Sequence, residues 1–185
     1  MSADPHTLSP DRTALIVIDL QEKLLPAIDG HEGLVVQVRT LLRLASALEL
    51  PVVLTTQYRK GLGPIVPEIL ELAGDVEPID KVAFGCFGSP EFGERLRDTG
   101  RDQLLVSGVE AHICVTQSVL GAVAAGFTPH VVTDATGSRS EVNRQLGFRR
   151  MERAGAWLSS TEMAAYELLG RADNAAFKQM LPYFR

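Results

Sequence analysis

Thr13-Ala-Leu-Ile-Val-Ile-Asp-Leu20 decides the fold. A strand with one wet face alternates apolar and polar residues. This one is aliphatic without a break from Ala14 to Ile18, so both faces are buried, as in a central parallel strand. Parallel neighbours need crossover connections, and the chain supplies them. After a Pro/Gly-containing loop, Leu34, Val35, Val38, Leu41, Leu42, Ala45 and Leu48 recur at helical spacing, which predicts a helix over residues 31–48. Pro51 ends it, and residues 52–56 (VVLTT) form the second strand.

Residues 57–67, QYRKGLGPIVP, are Gly- and Pro-rich and read as a long loop at a strand exit, where functional residues concentrate. A short strand over residues 76–80 leads into Lys81. Ser89-Pro90 reads as an N-cap followed by proline at the first position of a helix over residues 90–98. Residues 103–107 form the fourth strand, and residues 114–125 a helix that Gly126 ends. Residues 128–133 are the fifth strand, closing on Asp134. Ser138-Arg-Ser-Glu141 and Ser159-Ser-Thr-Glu162 match capping boxes, for helices over residues 138–154 and 161–169, with a sixth strand at 156–159 between them. Asp173 is the expected cap of a last short helix. Strands alternating with helices imply an α/β fold with helices on both faces of one parallel sheet. Residues 1–12 are expected to be a flexible arm, and residues 13–185 a single domain.

Composition excludes several functions. The net charge is −5 without a basic stripe, which argues against nucleic acid or an anionic membrane as a partner. No apolar run approaches the roughly 20 residues that span a bilayer. The polar start, MSADPHTLSPDRT, lacks a signal-peptide core, so a cytoplasmic location is expected. Two cysteines without a CxxC, and four histidines without an HxH or HExxH pair, predict neither a disulfide framework nor a metal site. No cofactor is expected either. The first strand is followed by no GxGxxG, and no P-loop or GxSxG elbow is present. Leu120 stands six residues after Cys114, so the Cys-x5-Arg pattern of cysteine phosphatases is absent.

Three residues remain as a reactive set. In parallel sheets ligands bind beyond the carboxyl ends of the strands. Asp19, Lys81 and Cys114 each lie at or just past such an end. Cys114 falls in Gly108-Val-Glu-Ala-His-Ile-Cys114-Val-Thr116, between a strand and a helix. A helix N-terminus and a neighbouring lysine both favour thiolate over thiol, so a lowered Cys114 pKa is expected. Asp19 would take the proton, Lys81 would stabilise the charge, and backbone N–H groups near Cys114 would hold an oxyanion. Cys86 reads as a small buried hydrophobe, His112 as either a loop hydrogen bond or a pocket wall, and Asp134 as a cap.

Leu15-Ile-Val-Ile-Asp19-Leu-Gln21, Asp80-Lys81-x-x-Phe84 and Gly108-Val-Glu-Ala-His-Ile-Cys114-Val together resemble the isochorismatase-like cysteine hydrolases, a group that includes nicotinamidases and N-carbamoylsarcosine amidases. Thr56 to Glu68 and Ser138-Arg-Ser look like its "isochorismatase domain-containing" branch. The resemblance implies a three-layer αβα fold with a six-stranded parallel sheet in the order 3-2-1-4-5-6. It implies an Asp19–Lys81–Cys114 catalytic triad, a cis peptide between Val109 and Glu110, and an oxyanion hole from the backbone N–H groups of Glu110 and Cys114. A homo-oligomer is expected on the same ground. Nicotinamidases carry an Asp-x-His zinc motif where this chain reads Gln57-Tyr58-Arg59, so the resemblance comes without a metal. True isochorismatases do not use a cysteine nucleophile, so Cys114 points away from that reaction. The expected activity is thioester-mediated hydrolysis of a small amide or related C–N bond. Gln21, Gln57, Tyr58, Phe84 and His112 are the candidate walls of the substrate pocket. The alternatives are an interaction protein that keeps the fold and a redox-sensing thiol.

Overall fold

β1, Thr13–Ile18, is buried at all six positions. Its side chains alternate between two cores, one on each face of the sheet. Leu15 and Val17 enter the first, Ala14, Ile16 and Ile18 the second. The computed structural model describes residues 6–184. β1 pairs with β2 (Val52–Gln57) on one side and β4 (Gln103–Val109) on the other, and β3 (Ile79–Lys81), β5 (Thr128–Gly137) and β6 (Trp157–Ser159) extend the sheet. Every pairing is parallel and the order is β3-β2-β1-β4-β5-β6.

The helices form the outer layers. α1 (His31–Ala47), α7 (Thr161–Leu169) and α8 (Ala175–Met180) cover the first core, with α3 (Pro67–Ala73) beside α1. Leu34, Val38, Leu41 and Leu42 of α1 are all buried there. Each such side chain contributes roughly 1.5–3 kcal/mol of burial. α4 (Pro90–Asp98), α5 (Thr116–Ala124) and α6 (Glu141–Arg153) cover the second core, from which Phe92, Val119 and Phe148 are among the contributors. α2 (Arg59–Leu62) is a single turn after β2.

Several local expectations are corrected. The loop over residues 57–67 contains α2 and runs straight into α3, which begins at Pro67 and whose one fully buried side chain is Ile69. Too few apolar positions recur there to give a period. The third strand starts at Ile79 and takes in Lys81, so the lysine is a strand residue, not one beyond it. β5 runs past Asp134 to Gly137, because the register shifts between Val106 and Gly108 and lets Thr136 and Gly137 pair with Gly108 and Val109. Caps fall one or two residues later than the boxes suggested: Ser140 for α6, Ser160 for α7, and Asn174 instead of Asp173 for α8. Residues 6–12 are not a loose arm. Leu8 is 2% exposed in the first core, its N–H donates to Glu167, and the Ser9 N–H donates to Gln103. Residues 1–5, the rest of that expectation, lie outside the described residues.

Candidate active site

Strand order reverses between β1 and β4, so a crevice opens beyond their carboxyl ends. Asp19 is the first residue past β1. Its backbone is left-handed, with φ 57°, a conformation that aspartate tolerates better than most residues. Its N–H donates to the Thr55 carbonyl of β2. Lys81 ends β3 directly opposite Gln57 of β2, so both side chains stand on one face of the sheet. Asp80, between the inward Ile79 and Lys81, is turned out and accepts from Thr56 Oγ1 and the Arg59 N–H.

The Lys81 and Asp19 side chains are both 0% exposed, and Lys81 Nζ donates to Asp19 Oδ2 at 2.7 Å. Lys81 Nζ also donates to Gln57 Oε1 at 2.8 Å, and Thr55 Oγ1 donates to Asp19 Oδ1 at 2.7 Å. Burial pushes the Asp19 carboxyl above its ordinary pKa, against the opposing pull of Lys81. Cys114 interacts with the Asp19 carboxylate through its side chain. The structure thus brings Asp19, Lys81 and Cys114 together.

The expected lowering of the Cys114 pKa is corrected. Burial first, and the Asp19 charge second, push it up to about 12. The helix dipole is outweighed: Cys114 lies in a single π-helical turn, Ala111–Val115, that runs directly into α5 at Thr116, so it stays near the amino end of the helix, but burial dominates its proton affinity. Cys114 as a residue is 5% exposed, beside Cys86, which is fully buried and is itself pushed up to about 11. Ser118 ties the two cysteine-bearing turns together: its Oγ accepts from the Cys86 N–H at 2.9 Å and donates to the Cys114 carbonyl at 2.6 Å.

The approach to Cys114 is shaped by backbone. Gly108 has φ 119°, and a Cβ there would lie 2.1 Å from the Ile18 carbonyl oxygen, so only glycine lets β4 pass this close to β1. The Val109–Glu110 peptide is cis. The Glu110 N–H has no backbone acceptor among the described residues. The Glu110 side chain is turned away to Arg139, whose backbone N–H and Nε both donate to it.

The other site candidates divide. Gln21 is fully buried and spent on backbone: its Oε1 accepts from the Gln57 N–H, and its Nε2 donates to the carbonyls of Gln57 and Gly63. Gln57 is spent on Lys81 and on the Val82 carbonyl. The Gln21 amide is committed to backbone, and each end of the Gln57 amide already has one partner. Tyr58 and Phe84 are about half exposed at the rim beyond β2 and β3. His112 Nδ1 lies 3.0 Å from Ser138 Oγ, so the loop hydrogen bond is present. Asp134 accepts from the Thr161 N–H and hydroxyl and anchors the start of α7. Cavities of about 390 and 370 Å³ flank α1, and neither has Asp19, Lys81 or Cys114 in its wall. Sequence reasoning missed Thr55 and Ser118. Their signals were present: Thr55 is two residues before Gln57 on the same strand face, and Ser118 is one helical turn after Cys114.

Among the described residues no three His, Cys, Asp or Glu side chains form a group that could hold a metal ion. No helix among them is long and apolar enough to cross a membrane.

Residues 13–163 match the family model of the isochorismatase domain. The chain belongs to the isochorismatase family. Among its relatives, mouse isochorismatase domain-containing protein 2A is 35% identical over 92% of this chain and 82% of that protein. The secreted isochorismatase effector Isc1 of Phytophthora sojae is 35% identical over 94% of this chain and 84% of that one. A structure described as the MAR1 ribonuclease of Caenorhabditis elegans superposes with TM-score 0.91 at 34% identity, covering 96% of this chain and 92% of that one. The Escherichia coli YcaC product, described as an octameric hydrolase of unknown specificity, superposes with TM-score 0.90 at 30% identity, covering 96% and 90%. Family membership makes a hydrolase the coarse assignment, and the six-stranded order β3-β2-β1-β4-β5-β6 is that of an isochorismatase-like fold.

Proposed function

We propose that this isochorismatase-family chain hydrolyses a small amide or related C–N bond through a thioester on Cys114. The observation that carries the reading is the dry Asp19–Lys81 pair in contact with a nearly buried thiol at the sheet's reversal point. A thiol pushed up to about 12 holds no standing thiolate at neutral pH. Proton transfer to Asp19 and sulfur attack on the carbonyl carbon therefore occur together, and the burial that raises the Asp19 pKa makes it the stronger base. The carbonyl electrons move onto oxygen, which the N–H groups of Glu110 and Cys114 hold. Collapse breaks the C–N bond, and the leaving nitrogen takes the proton from Asp19. Water, deprotonated by Asp19, then cleaves the thioester and returns the thiol. Lys81 keeps the cluster neutral while Asp19 is ionised.

Tyr58, Phe84 and His112 stand at the rim where a small substrate would enter. The relative described as a ribonuclease does not redirect this reading, since a net charge of −5 without a basic run in the sequence gives no general attraction for RNA. The raised pKa also weighs against a redox-sensing thiol, which needs thiolate character. The octameric relative, with Tyr58, Val82 and Phe84 exposed at the same rim here, supports a homo-oligomer whose neighbouring subunit closes the site. Sedimentation at the 20.1 kDa monomer mass would end that part of the reading. The test of the chemistry is Cys114→Ser and Cys114→Ala on a panel of small amides, followed by amine or ammonia release. Turnover should fall by at least about 10³-fold, the scale of losing a nucleophile. Unchanged turnover overturns the mechanism.

A further inference from the structure

We propose that Gln57 is a positioning residue that holds the Lys81 ammonium against Asp19 without adding a charge to the cluster. Gln57 and Lys81 are partners in the β2–β3 register, so their side chains emerge side by side on one face. Lys81 Nζ has two acceptors, Asp19 Oδ2 at 2.7 Å and Gln57 Oε1 at 2.8 Å, and its side chain is 0% exposed. The orientation of the Gln57 amide is dictated by its surroundings. Its other end meets the Val82 carbonyl at 2.8 Å, and a carbonyl only accepts, so Nε2 must face Val82 and Oε1 must face the lysine. The Gln57 backbone is held in turn. β2 ends here, and the Gln21 amide takes the place of a strand neighbour by accepting from the Gln57 N–H and donating to its carbonyl. Two glutamines thus form a brace from the loop after β1, through the end of β2, to the ammonium.

The brace has a chemical consequence, which rests on the hydrolase reading above. A flexible four-carbon stem lets an unheld ammonium leave its site, whereas a fixed acceptor keeps the positive charge where it opposes the Asp19 and Cys114 negative charges. A carboxylate at position 57 would still accept from the lysine, but it would add a negative charge beside Asp19 and could not donate to the Val82 carbonyl. A neutral amide is the side chain that holds without that addition.

The test needs no substrate. In the folded chain, Cys114 alkylation by iodoacetamide and Lys81 acylation by acetic anhydride are followed by peptide mass spectrometry at mildly alkaline pH, about 9, where thiolate is more abundant. In Gln57→Met the lysine loses an acceptor. Lys81 acylation should rise about ten-fold, and Cys114 alkylation should fall about ten-fold, as for a thiol that holds its proton ten times more tightly. In Gln57→Glu the acceptor remains, so Lys81 should stay as protected as in the wild type, while the added charge slows Cys114. Wild-type rates at both residues in Gln57→Met overturn the proposal, as does equal loss of Lys81 protection in both variants. If Gln57→Met does not fold, Gln57→Glu decides alone, and a wild-type Cys114 rate overturns it. Were Cys114→Ser to leave turnover intact, the hydrolase reading would fail while these labelling results stood. Wild-type labelling in Gln57→Met would remove the brace and leave that reading in place.

Discussion

Cys86 and Cys114 hold their protons more tightly in the folded chain than a free thiol does, at about 11 and about 12 against an ordinary 9.0. Burial is the first cause for both, and for Cys114 the Asp19 charge is the second. The linkage has a definite sign. Above pH about 9 the unfolded chain releases thiol protons that the folded chain retains, so stability falls as pH climbs toward the folded values. Urea unfolding at about pH 8 and about pH 10.5 should show the wild type losing about 1–2 kcal/mol more than Cys114→Ala over that interval, because each tenfold difference in proton affinity is worth about 1.4 kcal/mol. Equal losses would mean that the folded thiol titrates like a free one. The same argument makes Cys114 slow to label at neutral pH without substrate. Sequence reasoning weighed the dipole and the lysine, both of which favour thiolate. Desolvation, which won, depends on how many atoms surround the sulfur, and no local pattern reports that.

At the scale of elements, the site is a set of strand ends and one irregular turn. Asp19 follows β1, Gln57 and Lys81 end β2 and β3, and the π-helical turn after β4 carries Cys114. What brings the β1 and β4 ends close enough is Gly108. Any side chain there would meet the Ile18 backbone, with the oxygen at 2.1 Å and the nitrogen at 2.6 Å from the new Cβ. Backbone cannot yield as a flexible side chain does, so Gly108→Ala is expected to cost more than about 3 kcal/mol. Thermal denaturation measures this, and a melting temperature within about 2 °C of wild type would contradict it. Elements with a strong pattern along their whole length, the helical period of α1 and the unbroken aliphatic run of β1, were legible from residue type. α2 and α3 were not, because one or two turns give too few repeats for a 3.6-residue period to stand out. The extra length of β5 was hidden for another reason: a register shift against β4 is a property of two strands, not of either sequence.

Across the whole molecule, residues far apart in the chain close the fold. Leu8 sits in the core beside the first helical layer, and its N–H reaches Glu167 on α7. The Ser9 N–H and the Thr7 carbonyl both engage the Gln103 side chain at the start of β4. Leu8→Ala should therefore destabilise by about 2–4 kcal/mol, as for other buried leucines. Chemical denaturation checks it, and a change below about 0.5 kcal/mol, the scale of an ordinary surface substitution, would restore the picture of a loose arm.

The unbroken aliphatic run of β1 and the strand–helix alternation determined a parallel sheet between helical layers, because burial on both faces is written directly into residue type. The same reading, with the resemblance it supported, named Asp19, Lys81 and Cys114. The tertiary structure alone decided their state. It buried the lysine against a carboxylate, spent Gln21 and Gln57 on bracing it, and withdrew the thiol from water. Proton affinity and hydrogen-bond partnership depend on what lies within a few ångströms in space, and there the neighbours come from every strand end at once.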